Sequence, residues 1–95
     1  MEKIAVIIIS SQGIKQGLRL KQEINNIELF YTGQSERCTF IKSIPDFVDI
    51  NFNHYDALVF IGALGICVRS IAPHLQSKYS DPAVINIDST GKSVI

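Results

Sequence analysis

This 95-residue chain has no surplus of charge, since nine basic residues balance nine acidic ones. The basic stripe of a nucleic-acid binder and an acidic tail are both missing, so electrostatics select no partner. Long apolar runs are missing too. The longest, Ile4 to Ile9, is far short of the roughly 20 residues that span a bilayer, and Lys3 precedes no signal-like segment. Neither nucleic acid nor a membrane is expected as a partner, and the expected compartment is the cytoplasm. Cysteine is scarce: Cys38 and Cys67 have neither metal-ligand nor redox-pair spacing. In a reducing compartment they read as unlinked thiols without a role. Internal repeats, long linkers and low-complexity tracts are also absent.

What remains is ordinary globular material, 46% hydrophobic and 19% charged, well away from the composition of disordered chains. A chain this short suits one small domain and buries roughly 60 to 65% of its extended surface. Lys3 to Ile9 reads as a strand whose unbroken aliphatic run suits burial on both faces of a parallel sheet. Ser10-Ser11-Gln12-Gly13 is a turn and capping segment. The helix after it, to about Glu23, turns Ile14, Leu18 and Leu20 toward the sheet. Ile27 to Thr32 is a second strand, followed by the unpatterned polar stretch Gly33 to Arg37. Cys38 to Ile44 reads as an edge strand or loop, and Pro45 opens a short helix through Val48 that ends near Asn51. Asp56 to Ile61 is again a strand.

A helical stretch from Cys67 to Leu75 follows, with Ile66, Ile71, Ala72 and Leu75 on its apolar face and Pro73 set to bend or shorten it. Asp81-Pro82 introduces the strand Ala83 to Ile87. Thr90-Gly91 is a turn signal that can return Ser93 to Ile95 antiparallel. The expected fold is α/β: a small three-layer, mostly parallel sheet of Rossmann-like or flavodoxin-like form, closed by a C-terminal antiparallel hairpin. The chain stops on the apolar Val94 and Ile95, which leads to the expectation of a fragment of a longer protein and of self-association through an unpaired terminal strand.

Chemistry concentrates at Gly62-Ala63-Leu64-Gly65, between strand and helix. A strand feeding a glycine turn and a helix N-terminus aims several backbone N–H groups outward, a cradle for an anion or oxyanion. The spacing lacks the dinucleotide fingerprint and the Lys-Ser/Thr of a Walker loop. The same glycines serve equally for a tight turn and close helix–strand packing. Arg69, one turn into the helix, reads either as a bidentate donor to a ligand carboxylate or as a solvated arginine paired with an acid. Ser10, Ser11 and Gly13 occupy the corresponding loop after the first strand, with a serine there suited to an N-cap more than to a nucleophile. His54 and His74 are too isolated to form a triad. Asp88 closes the last long strand as a turn former or a substrate contact, without the further ligands that a metal site needs.

The run from Gly62 to Leu75, followed by Lys78, Asp81-Pro82-Ala83-Val84 and Asp88, resembles the N-terminal region of the CbiG family. The opening buried strand, Ser10, Gly13 and Tyr55-Asp56 fit as well. The resemblance implies cobalt-precorrin 5A hydrolysis in anaerobic cobalamin biosynthesis, with opening of the ring-A lactone and release of acetaldehyde. It implies contacts to a flat corrinoid substrate rimmed with carboxylates, carried by Ser10, Gly13, Gly62, Ala63, Gly65, Arg69 and Asp88, with Asp81 also matching the motif. Cobalt arrives with the substrate, so neither a protein-bound metal nor another cofactor is implied. The catalytic base is unassigned. The family's histidine-bearing segment and further domains lie beyond these residues, and are the implied partners in turnover. Two other functions compete: a phosphate or nucleotide binding module using the same loops, and a noncatalytic scaffold in which the glycines only pack.

Overall fold

The computed structural model describes residues 3–62, 64–74, 81–88 and 93–94. Strand β1 (Ile4–Ile8) leads through a 3-10 turn at Ser11–Gly13 into α1 (Ile14–Glu23), then β2 (Ile27–Tyr31) and the short β3 (Thr39–Phe40). Helix α2 (Ile44–Asn51), β4 (Ala57–Ile61), α3 (Leu64–Ile71) with a 3-10 turn at Ala72–His74, β5 (Ala83–Ile87) and β6 (Ser93–Val94) complete the order.

The strands form one sheet in the order β3-β2-β1-β4-β5-β6. The first five are parallel. This is the 3-2-1-4-5 order of doubly wound Rossmann sheets, not the 2-1-3-4-5 order of flavodoxin-like ones. β6 pairs antiparallel with β5, Asn86 opposite Val94 and Ile87 opposite Ser93. The Thr90-Gly91 turn expected to join them as a hairpin lies outside the described residues.

β1 is flanked by β2 and β4 and covered on both faces, so Ala5, Val6, Ile7 and Ile8 are all fully buried. That is the environment an unalternated aliphatic strand requires. On one face Ala5, Ile7, Phe30, Leu58 and Phe60 pack against Phe47, Val48 and Phe52 from α2 and its end, and Cys67 from α3. On the other, Val6, Ile8, Leu29, Val59 and Ile61 meet Ile14, Leu18 and Leu20 of α1. Helix, sheet and helix pair thus make three layers, and the residues expected to face the sheet from α1 do so.

Local chemistry moves some boundaries. α2 begins at Ile44, one residue before Pro45, because the Ser43 hydroxyl accepts the Asp46 N–H at 3.1 Å and caps the helix. α3 begins at Leu64, three residues earlier than Cys67, because Gly62 at φ 139° turns the chain directly off β4. Pro73 sits in the 3-10 turn beyond α3, where it closes the helix and does not bend it. Of the stretch Cys38 to Ile44, two residues pair at the sheet edge, the edge-strand alternative in its shortest form.

The contact of β1's exit with β4's exit is tight. A Cβ on Gly62 would stand 2.6 Å from Ile9 Cβ, and one on Gly13 would stand 2.6 Å from Ile61 Cγ2. Gly62→Ala is therefore expected to cost about 1–3 kcal/mol through backbone strain and overpacking, read as a lower urea midpoint at unchanged slope. Gly65→Ala is the control: its Cβ would meet nothing nearer than Arg69 Nη2 at 3.9 Å, so the midpoint stays or rises.

Candidate functional site

Parallel pairing sets Ile8, Ile61 and Ile87 in one row across β1, β4 and β5. The chain leaves that row through Ile9 and Ser10, through Gly62, and through Asp88, so Ser10, Gly62 and Asp88 emerge at the carboxyl edge of three adjacent strands. Neighbouring strands lie roughly 4.8 Å apart. Between β1 and β4 the strand order reverses, and in open α/β sheets that point is where ligands bind. The helices that follow, α1 and α3, both begin here.

The backbone hydrogen bonds decide what this edge can donate. Ile9 N–H donates to Ile61 O at 2.9 Å, which extends the β1–β4 ladder past the strand end. Gly62 N–H donates to Ile87 O at 2.8 Å, and the Gly62 carbonyl accepts from Asn86 Nδ2 at 3.3 Å. Gly13 N–H donates to Ser10 O at 2.9 Å. The amides of Gly62 and Gly13 thus hold the two turns, and their glycines admit the close approach. Anion donors at this edge come from the first turn of α3, where the N–H groups of Leu64, Gly65 and Ile66 have no acceptor within the helix. Ala63 lies outside the described residues.

Arg69 reaches back along α3, its Nε donating to the Gly65 carbonyl at 3.2 Å. This bond goes to backbone and not to the nearby acid weighed as an alternative. It carries an exposed guanidinium over the helix's first turn and adds positive charge where the dipole is already positive. Ser10 stands at the N-cap position of its 3-10 turn in extended conformation, yet its hydroxyl makes no capping bond. Asp81 precedes β5 and therefore lies at the opposite, amino edge of the sheet from Ser10, Gly62 and Asp88.

The histidines also lie away from the carboxyl edge. His74 Nε2 is 2.6 Å from Asp49 Oδ1, and its ring stacks on Phe52 at 5.2 Å, joining the end of α3 to the end of α2. His54 Nδ1 pairs with Asn51 Oδ1 at 3.3 Å. The first contact ties two helix ends together, and the second lies in the turn between α2 and β4. Burial pushes the Cys67 thiol up to about 11, which leaves it protonated and a poor nucleophile. Among the described residues, no group of three or more His, Cys, Asp or Glu side chains is arranged to hold a metal ion. No helix among them is long and apolar enough to cross a membrane.

One polar residue at this edge was given no role by the sequence reading. Asn86 is 2% exposed in the otherwise apolar run Ala83 to Ile87 and bonds the glycine turn directly. The signal was present as a lone carboxamide in a buried strand, where an unexplained polar group calls for a partner.

The family described as "Cobalamin synthesis G N-terminal" matches residues 46–95. A cobalt-precorrin-5A hydrolase from Salmonella typhimurium is 57% identical over 44 residues, 46% of this chain and 12% of the relative. Another hydrolase of that name, from Priestia megaterium, is 31% identical over 99 aligned positions, covering 96% of this chain and 26% of the relative. The chain thus spans about a quarter of the length of the latter. The crystal structure of a cobalamin biosynthesis protein G homolog from Sulfolobus solfataricus superposes with a TM-score of 0.69 at 22% identity, over 98% of this chain and 29% of that one. At that identity the likeness concerns the fold.

The two thiols should behave differently. A disulfide-exchange reagent at pH 8 is expected to label the partly exposed Cys38 promptly and to leave buried Cys67 unlabelled until denaturant is added. Prompt labelling of both in the native state would contradict the burial of Cys67.

Proposed function

This chain belongs to the CbiG family, and we propose that it supplies the substrate-contacting part of a cobalt-precorrin-5A hydrolase, which opens the ring-A lactone and releases acetaldehyde. The observation that carries the reading is the shared carboxyl edge: Ser10, Gly62 and Asp88 leave three adjacent strands in register, beside the N-terminus of α3 with Arg69 folded over it. In this reading the rim carboxylates of the flat substrate meet Arg69 and the first-turn amides of α3. Those donors also face negative charge that develops on the carbonyl oxygen as water adds. Cobalt belongs to the substrate, and the acid–base group and further substrate contacts come from other domains of the same protein. The terminal strand is a further surface for assembly, either with those domains or with a second copy.

The phosphate or nucleotide module fits the geometry less well. A phosphate cradle uses the glycine amides themselves, whereas here those of Gly62 and Gly13 bond Ile87 O and Ser10 O.

The test exchanges the matching segment of the Priestia megaterium hydrolase for this chain and measures acetaldehyde released anaerobically from cobalt-precorrin 5A, with the unaltered hydrolase as reference. Release by the folded chimera is expected. Arg69→Ala in that chimera should raise KM by about tenfold or more, the loss expected for a hydrogen bond to a charged group. A folded chimera that releases none would refute the reading.

A further inference from the structure

The two faces of the sheet are covered unequally. On one, α2 and α3 lie side by side, their ends joined where the His74 ring stacks on Phe52. On the other, α1 is the one helix among the described residues. It is seated between β1 and β2: a Cβ on Gly17 would stand 3.0 Å from Ile8 Cδ1 and 3.3 Å from Leu29 Cδ2. A helix is about 10–12 Å across, roughly two strand spacings, so the cover runs out toward β5. Val59 and Ile61 of β4 are still buried, but Ile85 and Ile87, their partners on β5, are only half-buried. A parallel strand of this aliphatic make-up needs cover on both faces.

A cleft opens where the cover stops. Its wall is the stripe Gln16, Arg19, Leu20 and Glu23 of α1, spaced i, i+3, i+4 and i+7, and its floor is Ile87. At about 140 Å³ it is smaller than the roughly 300–1,000 Å³ of small-molecule sites, and it has room for a side chain or two from a packed element. A helix laid over β4 and β5 would lie two strand spacings from α1, roughly 10 Å, which is the interaxial distance of packed helices. One cation, Arg19, and one anion, Glu23, edge the wall, so the rim favours neither an anionic nor a cationic partner.

We propose that this cleft seats an amphipathic helix from elsewhere in the same polypeptide, an inference that rests on the part of the reading above in which further domains of the same protein complete the enzyme. Two observations select that occupant. The family match is to an N-terminal region, and the Priestia megaterium relative has about three quarters of its length outside the aligned part. A helix tethered to this domain meets the cleft at high effective concentration. A second copy of this chain has no such helix to give, since the apolar stripes of α1, α2 and α3 already face its own sheet. The apolar side of the incoming helix covers Leu20, Ile85 and Ile87, and its polar side faces water.

Leu20→Cys puts a thiol on the cleft wall, and its rate of modification is read by mass spectrometry on the peptide that carries it, in the 95-residue chain and in the Priestia megaterium chimera described above. Modification is expected to be slower in the chimera by about tenfold or more, because the thiol then reacts only when the helix lifts away. Arg19→Cys, on the exposed rim, gives the same comparison if the first variant does not fold. Carrying a benzophenone label in the chimera, it is expected to crosslink to an amphipathic segment of its own polypeptide. Equal rates in chain and chimera would overturn the proposal. So would crosslinks that join two polypeptides, or protection in the 95-residue chain that grows with its concentration, either of which assigns the cleft to a second copy. Neither readout requires turnover. A folded chimera that releases no acetaldehyde therefore refutes the hydrolase reading by itself, and the labelling rates still decide the occupant of the cleft.

Discussion

The architecture rests on the near-contact of two chain exits. Where β1 and β4 end, Gly62 lies against Ile9 and Gly13 against Ile61, and the Ile9 N–H to Ile61 O bond locks the pair at 2.9 Å. Any side chain at either glycine would push the exits apart. Their closeness brings the starts of α1 and α3 to the same edge, which is what turns two separate strand-to-helix connections into one crevice. The hydrophobic layers above and below do the stabilising, the Ile9 N–H to Ile61 O bond holds the exits together, and the glycines admit that spacing.

Polar side chains are divided between the two edges of the sheet by task. At the amino edge they fasten. Asp56 Oδ2 accepts the Lys3 N–H at 2.8 Å, His74 bridges to Asp49, and Tyr55 donates to Glu28. Burial, and then the neighbouring Glu28 carboxylate, hold the Tyr55 phenol above its ordinary range, so it stays neutral and keeps donating. Around the starts of α1 and α3 the picture differs. The Ser10 hydroxyl caps nothing, the Arg69 guanidinium is turned toward a helix start, and Asn86 carries an unmatched oxygen. A structure optimised for stability alone would not concentrate unused hydrogen-bonding capacity on one side.

The sheet was readable from the sequence because its strands are short aliphatic runs in a chain too small for alternatives. Ile4–Ile8, Ile27–Tyr31, Ala57–Ile61 and Ala83–Ile87 fall inside the predicted segments. Strand order was legible only as a class, since it depends on where the chain crosses over and not on local pattern. The glycine turn was recognised, but the roles of its amides were not. Whether Gly62 N–H faces a ligand or Ile87 O depends on β5, some 20 residues onward, and no local spacing encodes that choice. Asn86 was missed for the same reason: within its strand it looks like one polar residue, and its meaning comes from the neighbour across the sheet.

The central position of β1 also has a consequence for synthesis. Its pairing with β4 joins residues more than fifty positions apart, and the bond from Lys3 to Asp56 spans the same interval. The most apolar stretch of the molecule therefore leaves the ribosome well ahead of its partner and waits with one edge unsatisfied until the fourth strand has emerged. Such long-range closure slows folding and prolongs the exposure of a sticky edge. For this chain, the hazardous interval is set by the time taken to translate the segment between β2 and β4.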